Sequence, residues 1–556
     1  MNASELAASW VDTTLGRMSL AQKVAQMITA EIAGGYLSDA DPRLGRWIRM
    51  AKELGVGGFA VYGGTPRDVA RLTNLLQGEA VVPILVSSDF EGGPGQQVTG
   101  ASEFPGDMAF AAAGDEDLMY RAASVGGREG RAMGIHLTYS PVADVTVSPD
   151  NPAESVRTFG ADVDTLGRMI RAYVRGYREQ GMLTTAKHFP GRGDSRKMPN
   201  HPGFFWLDRP AADIEAREFR AFRQAIEAGV ALIMTEHIAV PSVTGGSELP
   251  ATVEPKLVTG WIRERLGFTG VISSDDLWYD AVVARFGAED VALKAVQAGH
   301  DIVLKPRDPF AAAARLLHAV KAGEIDEARV DASVRRILVA KAAVGLHENR
   351  LVDEAKVSAV VGCPAHSDVI REAADRSLTL LKNDGVLPVA AAALAGLVNV
   401  SVQKADEDPS PSQLAAKLAA AFPGARSFTL RPDTGDAVRE AAAACAAAAG
   451  LVVISLFVPR ERNGEPSPLR EVDIALVRRI LKARPGRSIV MSYGNPYHVR
   501  KLGEASAFAV GYGERGWFGN QAAYFDSFIK VLKGDLKPAG RLPVPVDDRY
   551  PLGAGV

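Results

Sequence analysis

Residues 187–203 read KHFPGRGDSRKMPNHPG. Two lysines, two histidines, two arginines and an aspartate fall within these seventeen positions, and glycines and prolines break the stretch often enough to exclude a helix or a long strand. Ionisable groups fixed on a loop are suited to moving protons or gripping a polar ligand. Elsewhere "SSDD" sets Asp275 beside Asp276 after an apolar run, and "SSDFEGGPGQ" sets Asp89 and Glu91 beside glycines that let backbone approach a ligand. Carboxylates are thus opposed by lysine and histidine donors. "GGPGQ" has neither Rossmann nor Walker spacing, and neither HExxH nor CxxC accompanies His188 and His201, so no cofactor and no metal are expected. A neutral, polyhydroxylated substrate fits such a set. Its hydroxyls take hydrogen bonds, and a glycosidic bond needs a nucleophile or base facing an acid.

These groups need a frame. Over roughly the first 350 residues, short apolar runs alternate with longer stretches of helical periodicity. The runs are "GGFAVYG", "PILVSSD", "LTYSPVAD", "LTTAKHF", "ALIMTEH", "GVISSDD" and "DIVLKP", with an eighth near "VAQMITAEI". Helical stretches such as "DVDTLGRMIRAYVRGYREQ" separate them. Strand–helix alternation of this kind predicts a parallel sheet, and eight strands predict a (β/α)8 barrel. Six of the first seven runs finish on polar residues: Asp89, Asp144, Lys187 with His188, Glu236 with His237, Asp275 with Asp276, and Lys305. A buried parallel strand has no reason to end in a charge unless its C-terminal mouth is used, and in barrels that mouth carries the active site.

The chain has 556 residues, with 63 Lys plus Arg against 66 Asp plus Glu, a net charge of −3. That length predicts two domains, and the near balance argues against nucleic acid or an anionic membrane as a partner. Two cysteines are too few for a disulfide framework. The N-terminus has no basic stretch leading into an apolar segment, and no apolar run is long enough to span a bilayer, so the sequence as given is read as cytoplasmic. A second alternation follows "HENRLVDEAKVSAVVGCPAH": "LVNVSV", "RSFTL", "LVVISLFV", "SIVMSYG" and "AFAVGYG", with alanine-rich helices between. The expected division is a barrel over 1–350, a linker over 351–367, and an α/β sandwich domain over 368–556. Nothing in the sequence fixes an oligomeric state.

The segments "DFEGGPGQ", "EFPGDMA", "SPVADV", "ESVRTFG", "AKHFPGRGD", "LPATVEP", "LGFTGVISSDDL" and "AVQAGHDIVL" resemble glycoside hydrolase family 3 in order and spacing. "SLTLLKNDGVLPV", "SYGNPYHV" and "GRLPVPV" extend the likeness to the family's two-domain members. The resemblance implies a barrel followed by an α/β sandwich, and a retaining double displacement on a terminal β-linked sugar. It maps the nucleophile to Asp275 and sugar-hydroxyl contacts to Asp89, Arg157, Lys187 and His188. "KHFPGxGD" and "SDDL" are similar to the bacterial β-N-acetylhexosaminidase branch, which implies N-acetylglucosamine ahead of glucose.

That branch uses a histidine paired with an aspartate two residues earlier. Here Arg192 stands where a histidine is usual, and the residue two before His201 is Pro199. Three readings stay open. Asp194 folds back to His201 and restores the dyad; or Glu461 or Glu465 of the second domain supplies the acid, as in the family's β-glucosidases; or the protein is a slow or silent glycan binder or sensor. The charge of Arg192, Arg196 and Lys197 adds the option that phosphate replaces water, giving phosphorolysis.

Overall fold

The computed structural model describes residues 3–38, 40–148, 154–199, 203–404, 408–460, 468–514 and 519–556. By its contacts the chain resolves into two compact units, Met1–Ser102 with Tyr120–Asp144 and Ile170–Pro364, and Glu103–Met119 with Val145–Met169 and Ala365–Val556.

The strands of the first unit are β1 (Ile28–Ala33), β2 (Gly58–Tyr62), β3 (Leu85–Ser88), β4 (Leu137–Thr138), β5 (Leu183–Phe189), β6 (Arg196–Lys197), β7 (Phe205–Trp206), β8 (Leu232–Thr235), β9 (Ile238–Ala239), β10 (Val271–Ser273) and β11 (Val303–Leu304). Eight of them form one parallel sheet in the order β10-β8-β5-β4-β3-β2-β1-β11. A parallel bridge from Ser273 to Ile302 joins the two ends, closing the sheet into the expected barrel. All eight apolar runs supply a strand of it. Their side chains are buried on both faces because helices cover the outside. One such helix, Pro309–Lys321, shows the local logic. Asp308 caps it by accepting from the amide of Phe310 at 2.9 Å, Pro309 occupies the first turn, and Ala312, Leu316 and Ala319 form its buried stripe.

After β5 the proline- and glycine-rich loop forms no helix among its described residues. Its Arg196–Lys197 pairs antiparallel with Phe205–Trp206, which in turn lies parallel to Ile238–Ala239, so the loop is pinned to the mouth by a three-stranded sheet. At the other end of the barrel, Asp301 is fully buried just before β11. It accepts from Arg263, from Arg336 at 2.9 Å, from Ser333 at 2.7 Å and from the Ile272 amide at 2.9 Å. This carboxylate fastens the helix Glu327–Ala343 and the helical turn Lys256–Arg265 to the strands.

The second unit holds a six-stranded sheet, β12 (Thr379–Asn383), β13 (Leu397–Gln403), β14 (Arg426–Leu430), β15 (Leu451–Phe457), β16 (Ser488–Ser492) and β17 (Ala507–Val510), in the order β12-β17-β16-β15-β13-β14. The pairings are parallel except β12 with β17. Five of these strands match the apolar runs. The edge strand β12 is additional, and its pairing slips between Leu380 and Lys382, which spoils the alternation by which a strand is recognised in sequence. Val398, Val400, Val402, Val452 and Ile454 pack on one face, and Leu397, Leu451, Val453 and Phe457 on the other, which makes the unit a three-layer sandwich. Both cysteines are free and half-buried. No helix among the described residues is long and apolar enough to cross a membrane.

Removing a buried carboxylate that answers several arginines leaves uncompensated charge, at a cost of about 3–5 kcal/mol. Asp301→Ala is expected to lower the unfolding free energy by that amount in urea titrations, without altering residues at the mouth.

Candidate active site

At the C-terminal ends of the barrel strands, charged side chains answer one another in pairs. Lys187, 4% exposed near the end of β5, donates to Asp89 at 2.7 Å and to Glu91 at 2.6 Å. Tyr62, at the end of β2, donates its hydroxyl to the other oxygen of Asp89 at 3.0 Å. Burial and the neighbouring Asp89 charge hold that phenol well above its ordinary range, so it serves as a donor. The ammonium of Lys305, just after β11, lies 4.0 Å from the Tyr62 ring centre, 3.2 Å from Asp276 and 3.5 Å from Glu31.

His188 follows Lys187, and its Nδ1 lies 2.7 Å from Oδ2 of the fully buried Asp144. Asp144 also accepts the amides of His188 at 3.3 Å and Arg192 at 2.6 Å. The imidazole therefore carries a proton at Nδ1. His237 has the opposite assignment. Its Nε2 is 3.1 Å from the carbonyl of Asp276, which can only accept, so Nε2 is the donor, and in the neutral ring Nδ1 accepts from the Thr252 hydroxyl at 2.7 Å. The ring also stacks on Tyr279.

Asp275 and Asp276 sit in the middle of this arrangement, just beyond β10. The amide of Asp276 donates to the side chain of Asp275 at 2.7 Å. His188, Glu236 and Asp275 each present a ligand-capable atom within 4.8 Å of the others, which brings Asp275 under the same opening as Lys187 and His188. Burial alone would raise the pKa of Asp275, but His188, His237, the Asp276 amide and Lys187 outweigh it and hold the group at about 2. Asp276 goes the other way, to about 7. Burial dominates there and the charges of Asp275 and Asp89 add to it, while Lys305 opposes. One of two adjacent acids is firmly ionised; the other keeps a proton to near neutrality.

Of the sequence-derived residues, Asp275, Asp89, Lys187 and His188 come together at this mouth. Arg157 falls in the other compact unit, where it pairs with Glu154 at 2.9 Å. Asp194 accepts from Arg209 at 2.7 Å and Arg217 at 3.1 Å. His201, Glu461 and Glu465 lie outside the described residues. Asp144, Glu236, His237 and Lys305 are among the polar strand ends that the sequence places at the mouth, without an individual role, and Tyr62 is not among them. Glu236 accepts from Arg192 at 3.1 Å and from the His237 amide at 2.7 Å, so the arginine of the β5 loop is tied to β8. Among the described residues, His188, Glu236 and Asp275 form one group whose ligand-capable atoms lie close enough together to hold a metal.

A closed parallel barrel with paired charges and one ionised carboxylate at its C-terminal mouth defines a barrel enzyme. Residues 52–340 match the glycosyl hydrolase family 3 N-terminal domain. The chain is 33% identical over 395 residues to a β-N-acetylglucosaminidase/β-glucosidase of Cellulomonas fimi, spanning 68% of each protein. It is 26% identical over 540 residues to β-hexosaminidase A of Pseudoalteromonas piscicida, spanning 88% of this chain and 89% of that one. The solved structure of a family 3 β-N-acetylglucosaminidase from Paenibacillus sp. str. FPU-7 superposes with a TM-score of 0.82 at 28% identity, over 95% of this chain and 99% of the other. The chain belongs to glycoside hydrolase family 3, and it is an enzyme acting on carbohydrate.

The two acids make opposite contributions to stability. Asp276 holds a proton in the folded state up to about pH 7 that the unfolded chain releases near pH ~4, so its contribution falls as pH rises between those values. That of Asp275 is present above pH ~4 and is lost as pH falls toward 2. Asp276→Asn removes the first term only. Thermal melts from pH 4 to 8 should show the variant gaining on the wild type up to about pH 7; a difference independent of pH refutes the assignment.

Proposed function

We propose that the protein is an exo-acting, retaining β-glycoside hydrolase that releases a terminal sugar, N-acetylglucosamine ahead of glucose, through a glycosyl–Asp275 intermediate. The observation that carries this reading is the state of Asp275: half-buried, ionised to about 2, and aimed by the backbone amide that follows it. A carboxylate acting as nucleophile must be unprotonated and fixed beneath the anomeric carbon. The chain's similarity to a β-N-acetylglucosaminidase/β-glucosidase and to a β-hexosaminidase supports the amino-sugar preference.

Asp89, Lys187 and His188 bind ring hydroxyls, the lysine as donor and Asp89 as acceptor. Such contacts tighten as the ring flattens toward the oxocarbenium-like transition state. With an N-acetylated sugar, the acetamido group is held clear of C1, because Asp275 takes that position. His201 protonates the leaving oxygen and then activates water, oriented by Asp194, whose carboxylate the two arginines hold on the loop. No cofactor takes part.

The direct test is turnover of p-nitrophenyl β-N-acetylglucosaminide and β-glucoside. Asp275→Ala should lower kcat at least about a thousandfold. Incubation with a 2-deoxy-2-fluoro glycoside should leave a sugar adduct on the Asp275 peptide; an adduct elsewhere overturns the reading. Sugar 1-phosphate formed in phosphate buffer would replace hydrolysis by phosphorolysis.

The proton donor has a separate signature. His201→Ala should keep most activity on a dinitrophenyl glycoside, whose leaving group needs no proton, and lose it on an alkyl glycoside. If Glu465→Ala behaves this way and His201→Ala does not, the acid comes from the second domain.

A further inference from the structure

Four neighbouring strands carry a continuous row of polar side chains across one side of the mouth. In the sheet order β11-β1-β2-β3 they are Lys305 just after β11, Glu31 within β1, Tyr62 at the end of β2 and Asp89 just after β3. The Lys305 ammonium lies 3.5 Å from Glu31 and 4.0 Å from the centre of the Tyr62 ring, and the Tyr62 hydroxyl donates to Asp89 at 3.0 Å. On its other side Lys305 meets Asp276, 3.2 Å away beyond β10. Lys305 thus joins the strand that carries the paired acids to the row that ends on Asp89.

Each member of the row constrains the next. Burial and the charge of Asp89 keep the Tyr62 phenol in its neutral form, so the bond between them has one sense, with Tyr62 as donor. Asp89 then carries a donor on each oxygen, Tyr62 on Oδ2 and Lys187 on Oδ1 at 2.7 Å, which fixes the plane of its carboxylate. An ionised carboxylate oxygen has two lone-pair directions, so one on each oxygen is left for a sugar hydroxyl. A cation over an aromatic face is attracted to it and draws electron density from the ring, so Lys305 both anchors Tyr62 and strengthens its hydroxyl as a donor. Lys305 itself has a left-handed backbone, φ 48°, which residues bearing a side chain seldom adopt, and its amide donates to the Thr29 carbonyl at 2.7 Å. Such strain persists where the surroundings over-determine it, and it clusters at functional sites.

We propose that Tyr62 and Lys305 are positioning residues for sugar recognition: they brace Asp89 at the angle from which it accepts a ring hydroxyl, and neither contacts the sugar. This rests on the function proposed above, in which Asp89 binds the terminal sugar. Lys187 holds the same carboxylate and also donates to substrate, whereas Tyr62 acts through Asp89 alone and Lys305 acts through Tyr62. Contacts to the ring hydroxyls tighten as the ring flattens, so a loosened Asp89 lowers kcat more than it raises KM.

The test couples variants to substrates. Wild type, Asp89→Asn, Tyr62→Phe and Lys305→Met are assayed on the better of the two nitrophenyl glycosides and on its monodeoxy analogues. The hydroxyl held by Asp89 is the one whose removal costs the wild type activity and costs Asp89→Asn none. With that hydroxyl present, Tyr62→Phe should lower kcat/KM about ten- to a hundredfold, the range for a hydrogen bond to a charged group, and mostly through kcat. Lys305→Met should lower it about two- to thirtyfold, and Lys305→Arg, which keeps a cation over the ring, should recover most of that. With the hydroxyl absent, or in the Asp89→Asn background, both losses should shrink to less than about twofold, because the coupled partner is gone. Melting curves verify that the variants are folded. An equal loss from Tyr62→Phe on every analogue, or its full loss retained in Asp89→Asn, marks a packing role and overturns the proposal. Asp89→Asn without effect on any of the glycosides refutes the substrate contact itself and the bracing with it. A loss in Asp89→Asn with none in Tyr62→Phe refutes the bracing and leaves the substrate contact standing.

Discussion

Keeping Asp275 ionised at a half-buried position is the constraint around which the barrel mouth is arranged. Burial favours the neutral acid, and a protonated carboxyl is no nucleophile. The opposing field comes from His188 and Lys187 on β5, from His237 just after β8 and from the amide of Asp276, so two neighbouring strands and the next peptide all contribute. None of these groups is free to drift. Asp144 holds His188, the pair Asp89 and Glu91 holds Lys187, and Thr252 with the Asp276 carbonyl holds His237. Electrostatic preorganisation of this kind carries no reorganisation cost when charge moves.

Asp276 shows the same field with its sign reversed. It lies one residue away, yet its carboxyl faces Lys305, with Asp89 and Asp275 close enough to raise its pKa to about 7. Two acids in succession cannot both be charged cheaply in a buried place, and their environments separate them. Lys305 links this acid to the substrate side of the mouth. Its ammonium lies over the Tyr62 ring, and Tyr62 donates to Asp89, the same carboxylate that accepts from Lys187. A change at Lys305 would therefore reach Asp89 without touching it.

The frame was legible in the sequence because its signals are local. Most barrel strands are apolar runs ending in a charge, and many helices carry a capping residue or a glycine at one end. The four residues of the mouth proposed from sequence that come together, Asp89, Lys187, His188 and Asp275, are strand-end groups of this kind. Partners were less legible, since pairing depends on which strands adjoin. Asp144 lies 44 positions from His188 and Tyr62 27 from Asp89, and no spacing rule announces either contact. Arg157 shows the converse difficulty, because its sequence neighbourhood, Val145–Met169, clusters with the second unit.

The loop after β5 ties most of its described charges to partners. Lys187 and His188 are engaged by buried carboxylates, and Arg192 is spent on Glu236. Asp194 accepts from Arg209 and Arg217, and Arg196 and Lys197 are exposed. The donor in the function proposed above is the imidazole of His201, a side-chain type whose ordinary pKa lies where a group can both give and take a proton in one catalytic cycle. A missing aspartate two residues before it changes how the ring is held, not whether it can titrate. Such a donor, turning from acid to base, would add no negative charge to a site that already holds the carboxylate of Asp275, as a carboxylate donor would.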